Sequence, residues 1–157
     1  MKLTDTNYTT TFTVDQTPRA VFDAINHVRG WWSGVIAGDT DKLGAEFTYR
    51  VPDIHYSRLR IVEFVPGKRV VWHVLDSDIS YTKDRTEWND TSIIFDIVAK
   101  EGRTVLQFTH VGLVPADECY DSCSDAWRSL INGSLRQLIV TGEDQPDIFA
   151  TSREAQS

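Results

Sequence analysis

Only two cysteines occur among 157 residues, too few for the disulfide framework of a small secreted scaffold. A chain of this length buries roughly 70% of its unfolded surface without such help. No run reaches the ~18 apolar residues of a membrane span. The opening Met1-Lys2-Leu3-Thr4-Asp5-Thr6 lacks the apolar core of a signal peptide, so a cytoplasmic location is expected. Positive charge is in deficit: 16 Lys+Arg against 23 Asp+Glu leave a net charge of -7, which repels phosphate backbones and anionic lipid and speaks against nucleic-acid and membrane partners. Gly-x-Gly-x-x-Gly and Gly-Lys-Ser/Thr are both absent, and with them the phosphate cradle of nucleotide-driven chemistry. No His-x-Glu or His-Glu-x-x-His pattern accompanies Cys119 and Cys123, which alone make half a zinc site. Neither a metal nor a cofactor is expected.

What the chain does have is a globular composition, 41% hydrophobic and 11% aromatic, arranged in two periods. Tyr8, Thr10, Phe12 and Val14 alternate with Thr9, Thr11 and Thr13, a pattern that predicts a half-buried strand. Thr17-Pro18 supplies a cap and a first-turn proline for a short helix over 18–28, with Val21, Phe22 and Ile25 on its apolar face. Gly30, Trp31-Trp32, Gly34, Gly38 and Asp39 then read as an irregular, aromatic-anchored connection. From Glu46 the period is two. Phe47, Tyr49 and Val51 share one face, as do Leu59 and Ile61; Pro66-Gly67 leads into a strand over 69–75 whose buried face is ambiguous, because Val70, Trp72 and Val74 alternate with Val71, His73 and Leu75. Residues 76–90 read as a polar loop. Ser92–Lys100 and Arg103–Val111 form a hairpin about Glu101-Gly102. After Pro115 the spacing becomes helical up to a Gly142 cap, with the stripe Cys119, Cys123, Trp127, Leu130, Ile131, Leu135 and Leu138 interrupted by Gly133 and Ser134. The expectation is one α+β domain over residues 1–142, with about six mostly antiparallel strands and one long helix, followed by a polar tail over 143–157.

The order of strand, short helix with an aromatic pair, sheet, and one long final helix resembles the helix-grip fold of the START-like, or SRPBCC, superfamily. Trp31-Trp32, Glu63-Phe64-Val65-Pro66-Gly67-Lys68-Arg69-Val70, Gly102-Arg103-Thr104-Val105-Leu106-Gln107-Phe108-Thr109-His110 and Asp125-Ala126-Trp127 are similar to segments of the family of activators of the heat-shock protein 90 ATPase and their single-domain bacterial relatives. The resemblance implies a curved antiparallel sheet wrapped around the last helix and enclosing a cavity. It specifies fold better than function, since the superfamily hosts carriers, cyclases, receptors and chaperone partners. The two-domain co-chaperones carry an additional N-terminal domain, and the residues ahead of Tyr8 do not resemble one, so chaperone activation is not expected. A chaperone contact and a homodimer stay open as partners.

Strand parity turns Tyr49, Phe95, Leu106, Phe108 and His110 towards the concave face, opposite Trp127 and Ile131. Such a wall is either ordinary core or the lining of a small-molecule pocket. The resemblance favours the pocket, with Trp32, Tyr49, Trp72, Phe95, Phe108, His110, Trp127, Ile131 and Ser134 as ligand contacts. His110 is the candidate for acid–base chemistry, or else a structural histidine at a strand end; no nucleophile or carboxylate stands at a spacing that completes a catalytic set. Cys119 and Cys123 are small buried hydrophobes or, at a helix start, activated thiols. The leading expectation is a non-enzymatic protein that binds a small apolar ligand. The alternatives are a cyclase- or dehydratase-like enzyme using His110 with Tyr49 as hydrogen-bond donor, and a protein-interaction module using Ile94, Val98 and Val105 on the outer sheet face.

Overall fold

The computed structural model describes residues 7–52, 54–80, 82–83, 85–115 and 117–145. Its framework is one antiparallel sheet in the order β1-β7-β6-β5-β4-β3-β2. The strands are β1 Tyr8–Val14, β2 Val35–Gly38, β3 Glu46–Val51, β4 His55–Val65, β5 Arg69–Ile79, β6 Ser92–Lys100 and β7 Arg103–Val111. The β6–β7 turn has φ of 54° at Glu101 and 80° at Gly102, the paired positive angles of a two-residue hairpin that follows the twist of its strands. The strands β4 and β5 are the longest, and their pairing is broken by register shifts at Arg58/Leu59 and Ile61/Glu63. Such bulges bend a strand, and they give this sheet a concave face for the final helix.

Two expectations about the sheet need correction. A seventh strand, β2, stands where an irregular connection was expected. It is four residues long, and its register of Val35 to Arg50 through Gly38 to Phe47 owes everything to backbone pairing, which leaves no alternation to read. The segment 76–90 is not all loop, because β5 continues through Asp76 and Asp78, facing Arg58 and Tyr56, to Ile79. Trp72 points inward and is fully buried; the ambiguity around it arose because Val71 on the outer face is buried too. Of the three outer-face candidates, Val98 is exposed while Ile94 and Val105 are half-buried.

Helix α1 spans Pro18–Asn26, two residues shorter than expected, and Val28–Gly30 forms a separate 3-10 turn. Thr17 Oγ1 accepts from Ala20 N at 3.1 Å, the cap that the sequence promised. The C-terminal helix starts later than expected, at Tyr120, and ends at Thr141 as three consecutive pieces: α2 Tyr120–Arg128, a π-helical stretch Ser129–Leu135, and α3 Arg136–Thr141. Cys119 is therefore the residue ahead of the helix rather than part of it. The helix closes on Gly142 (φ 74°), whose N–H reaches Leu138 O at 2.8 Å. The stripe from Cys119 to Leu138 is buried throughout. The polar tail begins by folding back: Asp144 meets His27 at 2.7 Å and Gln145 N donates to Gly30 O at 2.8 Å. Residues 146–157 lie outside the described residues.

Candidate functional site

The concave face carries a continuous set of aromatic rings. Trp32 lies against Tyr49 of β3 at 4.0 Å and 17°, and against Trp72 of β5 at 5.6 Å and 6°. Trp72 meets Phe47 at 5.1 Å and Phe95 at 4.9 Å, both edge-on. Phe95 leads to Phe108 at 5.2 Å, and Phe108 to Trp127 of α2 at 4.7 Å. Trp127 returns to Trp32 at 5.2 Å. These separations are those of rings in direct contact. Six of the nine expected ligand residues thus form one ring circuit, and His110 joins it through Trp127. Ile131 and Ser134 are buried on the π-helical stretch, the one on the apolar stripe and the other beside Gly133, where an added Cβ would meet nothing within 4 Å. A π-helical register is uncommon and is found disproportionately at functional sites.

His110 is held from both ring nitrogens. Trp127 Nε1 donates to its Nδ1 at 3.1 Å, and since an indole is only a donor, the imidazole proton sits on Nε2. That proton points to Thr91 Oγ1 at 2.8 Å, and the Thr91 hydroxyl passes on to Trp88 O at 2.6 Å. Complete burial, with a smaller push from His55, drives the His110 pKa down to about 3. The residue is a neutral brace between β7 and the helix, with no ring nitrogen left for a substrate. Burial likewise drives His55 down to about 4, against a pull from Asp78. His55 sits edge-on to Tyr49 at 5.4 Å and to Trp88 at 4.4 Å, with Nε2 2.8 Å from Ser57 Oγ.

Trp88 and Thr91 escaped sequence reasoning, and Trp31 was expected only as an anchor of the connection after the first helix. Trp88 stacks on Trp127 at 5.8 Å and touches both histidines; the available signal was a tryptophan in an otherwise polar segment. Trp31 packs on Trp72 and spends its indole N–H on Ile25 O at 3.1 Å. Thr91 fixes the His110 tautomer, a role visible only in space. The thiol of Cys119 is pushed up by its contact with Cys123 and by burial, the environment of an inert packing residue rather than of an activated thiolate. Among the described residues no group of three or more His, Cys, Asp or Glu side chains could hold a metal.

Surface grooves lie elsewhere. One of about 550 Å³ runs between α1, the β2–β3 connection and the β4–β5 turn, lined by Phe22, Asn26, Asp39 and Phe64 among others. Another of about 260 Å³ lies beside the β3–β4 turn, with Arg50, Tyr56 and Arg85. A crevice of about 60 Å³ is lined by Arg29, Trp31, Trp32, Ser33, Gly34 and Gln145. Of the nine expected ligand residues only Trp32 reaches any of the three.

The loop that carries Trp32 is held tightly at Gly34. Its φ is +123°, and an added Cβ would stand 2.5 Å from Tyr49 Cε1 and 3.1 Å from Arg50 O. Gly34→Ala is therefore expected to cost about 1–3 kcal/mol, from backbone strain and the clash together. Urea unfolding checks this; a change within 0.5 kcal/mol, the range of an ordinary surface substitution, would mean that the loop is not fixed there.

A bent antiparallel sheet gripping one long C-terminal helix over an aromatic interior defines a helix-grip, START-like protein. The family model described as activator of Hsp90 ATPase homolog 1-like protein matches residues 15–139, and the chain belongs to that family. Solved structures agree on the fold. The Aha1 dimer from Colwellia psychrerythraea is 19% identical with a TM-score of 0.69, over 87% of this chain and 97% of that one. Protein BH1534 of Bacillus halodurans is 13% identical with a TM-score of 0.62, over 85% and 96%. CalU16 from Micromonospora echinospora is 15% identical with a TM-score of 0.61, over 93% and 81%. No curated protein matches the chain by sequence. Among the described residues no helix is long and apolar enough to cross a membrane.

Proposed function

We propose that this protein binds a small, largely apolar ligand between the concave sheet face and the C-terminal helix. The observation that carries the reading is the ring circuit from Tyr49 through Trp32, Trp72, Phe95 and Phe108 to Trp127. It is a wall of flat apolar faces with few polar atoms, the kind of lining that suits such a ligand. The π-helical stretch turns Leu130, Ile131, Ser134 and Leu135 to the interior, and Ser134 is the one small side chain among them. Binding requires the rings to separate, so the ligand's apolar area must replace the ring contacts it breaks. Acid–base catalysis by His110 is not favoured, because both of its nitrogens are engaged and Trp88 and His55 lie between it and Tyr49.

Titration with the neutral fluorophore N-phenyl-1-naphthylamine tests the reading. The wild-type chain should enhance and blue-shift its emission saturably, and Ser134→Leu should weaken that binding at least about tenfold by taking up the room that a ligand would need under the helix. Absence of saturable binding to the wild type, or unchanged binding in a Ser134→Leu chain destabilised by ~1–3 kcal/mol as a packed core would be, overturns it.

A further inference from the structure

We propose that the groove beside α1 binds a small organic cation, a primary ammonium on an aromatic or alkyl body, at a site separate from the aromatic interior. Its volume of about 550 Å³ falls within the range of small-molecule pockets. One face of α1 makes the first wall: Arg19, Phe22, Asp23 and Asn26 line the groove and follow one another at the i, i+3, i+4, i+7 spacing of neighbours on a helix surface. The β2–β3 connection makes the second. Thr40 is buried and its Oγ1 donates to Asn26 O at 2.8 Å. That bond pins the connection to the end of the helix, with Asp39 and Asp41 on either side of the joint. Phe64, edge-on to Phe22 at 5.0 Å, and Pro66 add apolar surface for the body of the ligand.

The sign of the ligand's charge follows from which groups the fold has already used. The positive ones on the groove are engaged: Arg19 with Asp23 at 3.0 Å, Arg29 with Ile36 O and Gly38 O at 3.2 and 2.9 Å, and His27 with Asp144 at 2.7 Å. The carboxylates of the facing wall are not. Among the described residues Asp39 has one ion pair, a loose one with exposed Lys42 at 3.7 Å, and Asp41 has none. The net charge of -7 attracts cations to the chain as a whole.

The second observation is an unused amide. Asn26 lines the groove with only 7% of its surface exposed, and its Oδ1 has no hydrogen-bond partner. The fold uses the main-chain carbonyl of Asn26, which accepts from Thr40, and leaves the side-chain oxygen without a donor. A buried acceptor in that state calls for an explanation. A primary ammonium supplies one, since it carries three donors and no acceptor. Those three donors match Asn26 Oδ1 and the carboxylates of Asp39 and Asp41. The Asn χ2 torsion is broad, so the carboxamide can turn its oxygen to a donor that enters from the groove. An anionic ligand brings acceptors alone and would leave Oδ1 as it is.

Phenethylamine, phenethyl alcohol and hydrocinnamate share an aromatic body and differ in charge, which makes them the test set. In 15N-edited NMR titrations of the wild-type chain, phenethylamine should shift the amides of Phe22, Asn26, Asp39 and Asp41 saturably. The alcohol should bind at least about tenfold more weakly, because hydrogen bonds from a charged donor are the stronger ones, and hydrocinnamate should leave these amides in place. Asn26→Leu removes an amide that no side-chain contact of the fold uses. It should keep the wild-type urea midpoint or raise it, and should weaken phenethylamine binding at least about tenfold. If Asn26→Leu does not fold, Asp39→Asn/Asp41→Asn, at two exposed positions, should weaken the amine about tenfold at low salt. Equal affinity for amine and alcohol, tighter binding of hydrocinnamate, shifts that do not saturate, or amine binding that survives these substitutions overturns the site. Any of these results leaves interior binding standing, because that reading is tested with the neutral probe N-phenyl-1-naphthylamine.

Discussion

Changing Trp127 to alanine is expected to cost about 3–5 kcal/mol, the range for deleting a large aromatic from a packed core. Domains of this kind are stable by only about 5–15 kcal/mol, so the variant should sit near the edge of unfolding. Trp127 is the side chain through which the helix grips the sheet: its ring touches Trp32, Trp88 and Phe108. Its N–H is the donor that Nδ1 of His110 accepts. Alanine removes both the ring and the donor, leaving a buried acceptor unpaired. Trp127→Phe separates the two contributions. It retains most of the ring contact and drops the hydrogen bond, so it should lose about 1–3 kcal/mol. Urea denaturation of both variants checks the pair; a Trp127→Ala cost below 1 kcal/mol would mean that the helix is held by other contacts.

Acidification should destabilise the protein well above the range in which carboxylates protonate. His110 and His55 have folded-state pKa values pushed down to about 3 and about 4, against 6.5 unfolded. The unfolded chain therefore binds more protons than the folded one as pH falls below 6.5, and stability rises with pH across that window. The two histidines' contribution is fully present above pH 6.5. It is lost as pH falls, until the folded-state values are passed near 4 and 3. Each residue contributes on the order of 3–5 kcal/mol at the acid limit. Near pH 5 the slope should approach about 2.7 kcal/mol per pH unit, two protons' worth, and should flatten above pH 7. Urea unfolding at half-unit steps from pH 4.5 to 8 measures it. A flat profile from 5 to 7 would show that neither imidazole is buried neutral.

The concave wall was legible because side chains alternate in a strand. Phe95, Leu106, Phe108 and His110 fell on one face by parity alone, and the helical stripe through Trp127 gave the facing surface. Parity failed where both faces are buried, as at Val70 to Val74, and Trp72 could be assigned only in three dimensions. The strand β2 was hidden because four residues ending in a glycine present no apolar alternation, and their pairing is a property of the backbone. Trp88 was hidden by the polar residues around it, although a ring that touches His55, His110 and Trp127 is as central as any found by pattern. The π-helical stretch left no sequence signal beyond Gly133 and Ser134, since a shift in hydrogen-bond partner changes no side chain. The His110 brace illustrates the limit most clearly: the sequence supplied an inward-pointing imidazole, but whether its nitrogens were free depended on Thr91 and Trp127, 19 and 17 residues away.

The central claim is that the aromatic interior, rather than a surface groove, receives the ligand. Its most direct test is a 15N-edited NMR titration of the indole N–H resonances with N-phenyl-1-naphthylamine, read alongside the backbone amides. Interior binding predicts saturable shifts at the indoles of Trp32, Trp72 and Trp127, with the amides of Arg19, Phe22 and Asp39 in the large groove and of Arg50 and Tyr56 in the smaller one unmoved. Shifts confined to either groove, with those three indoles unchanged at saturation, would contradict it.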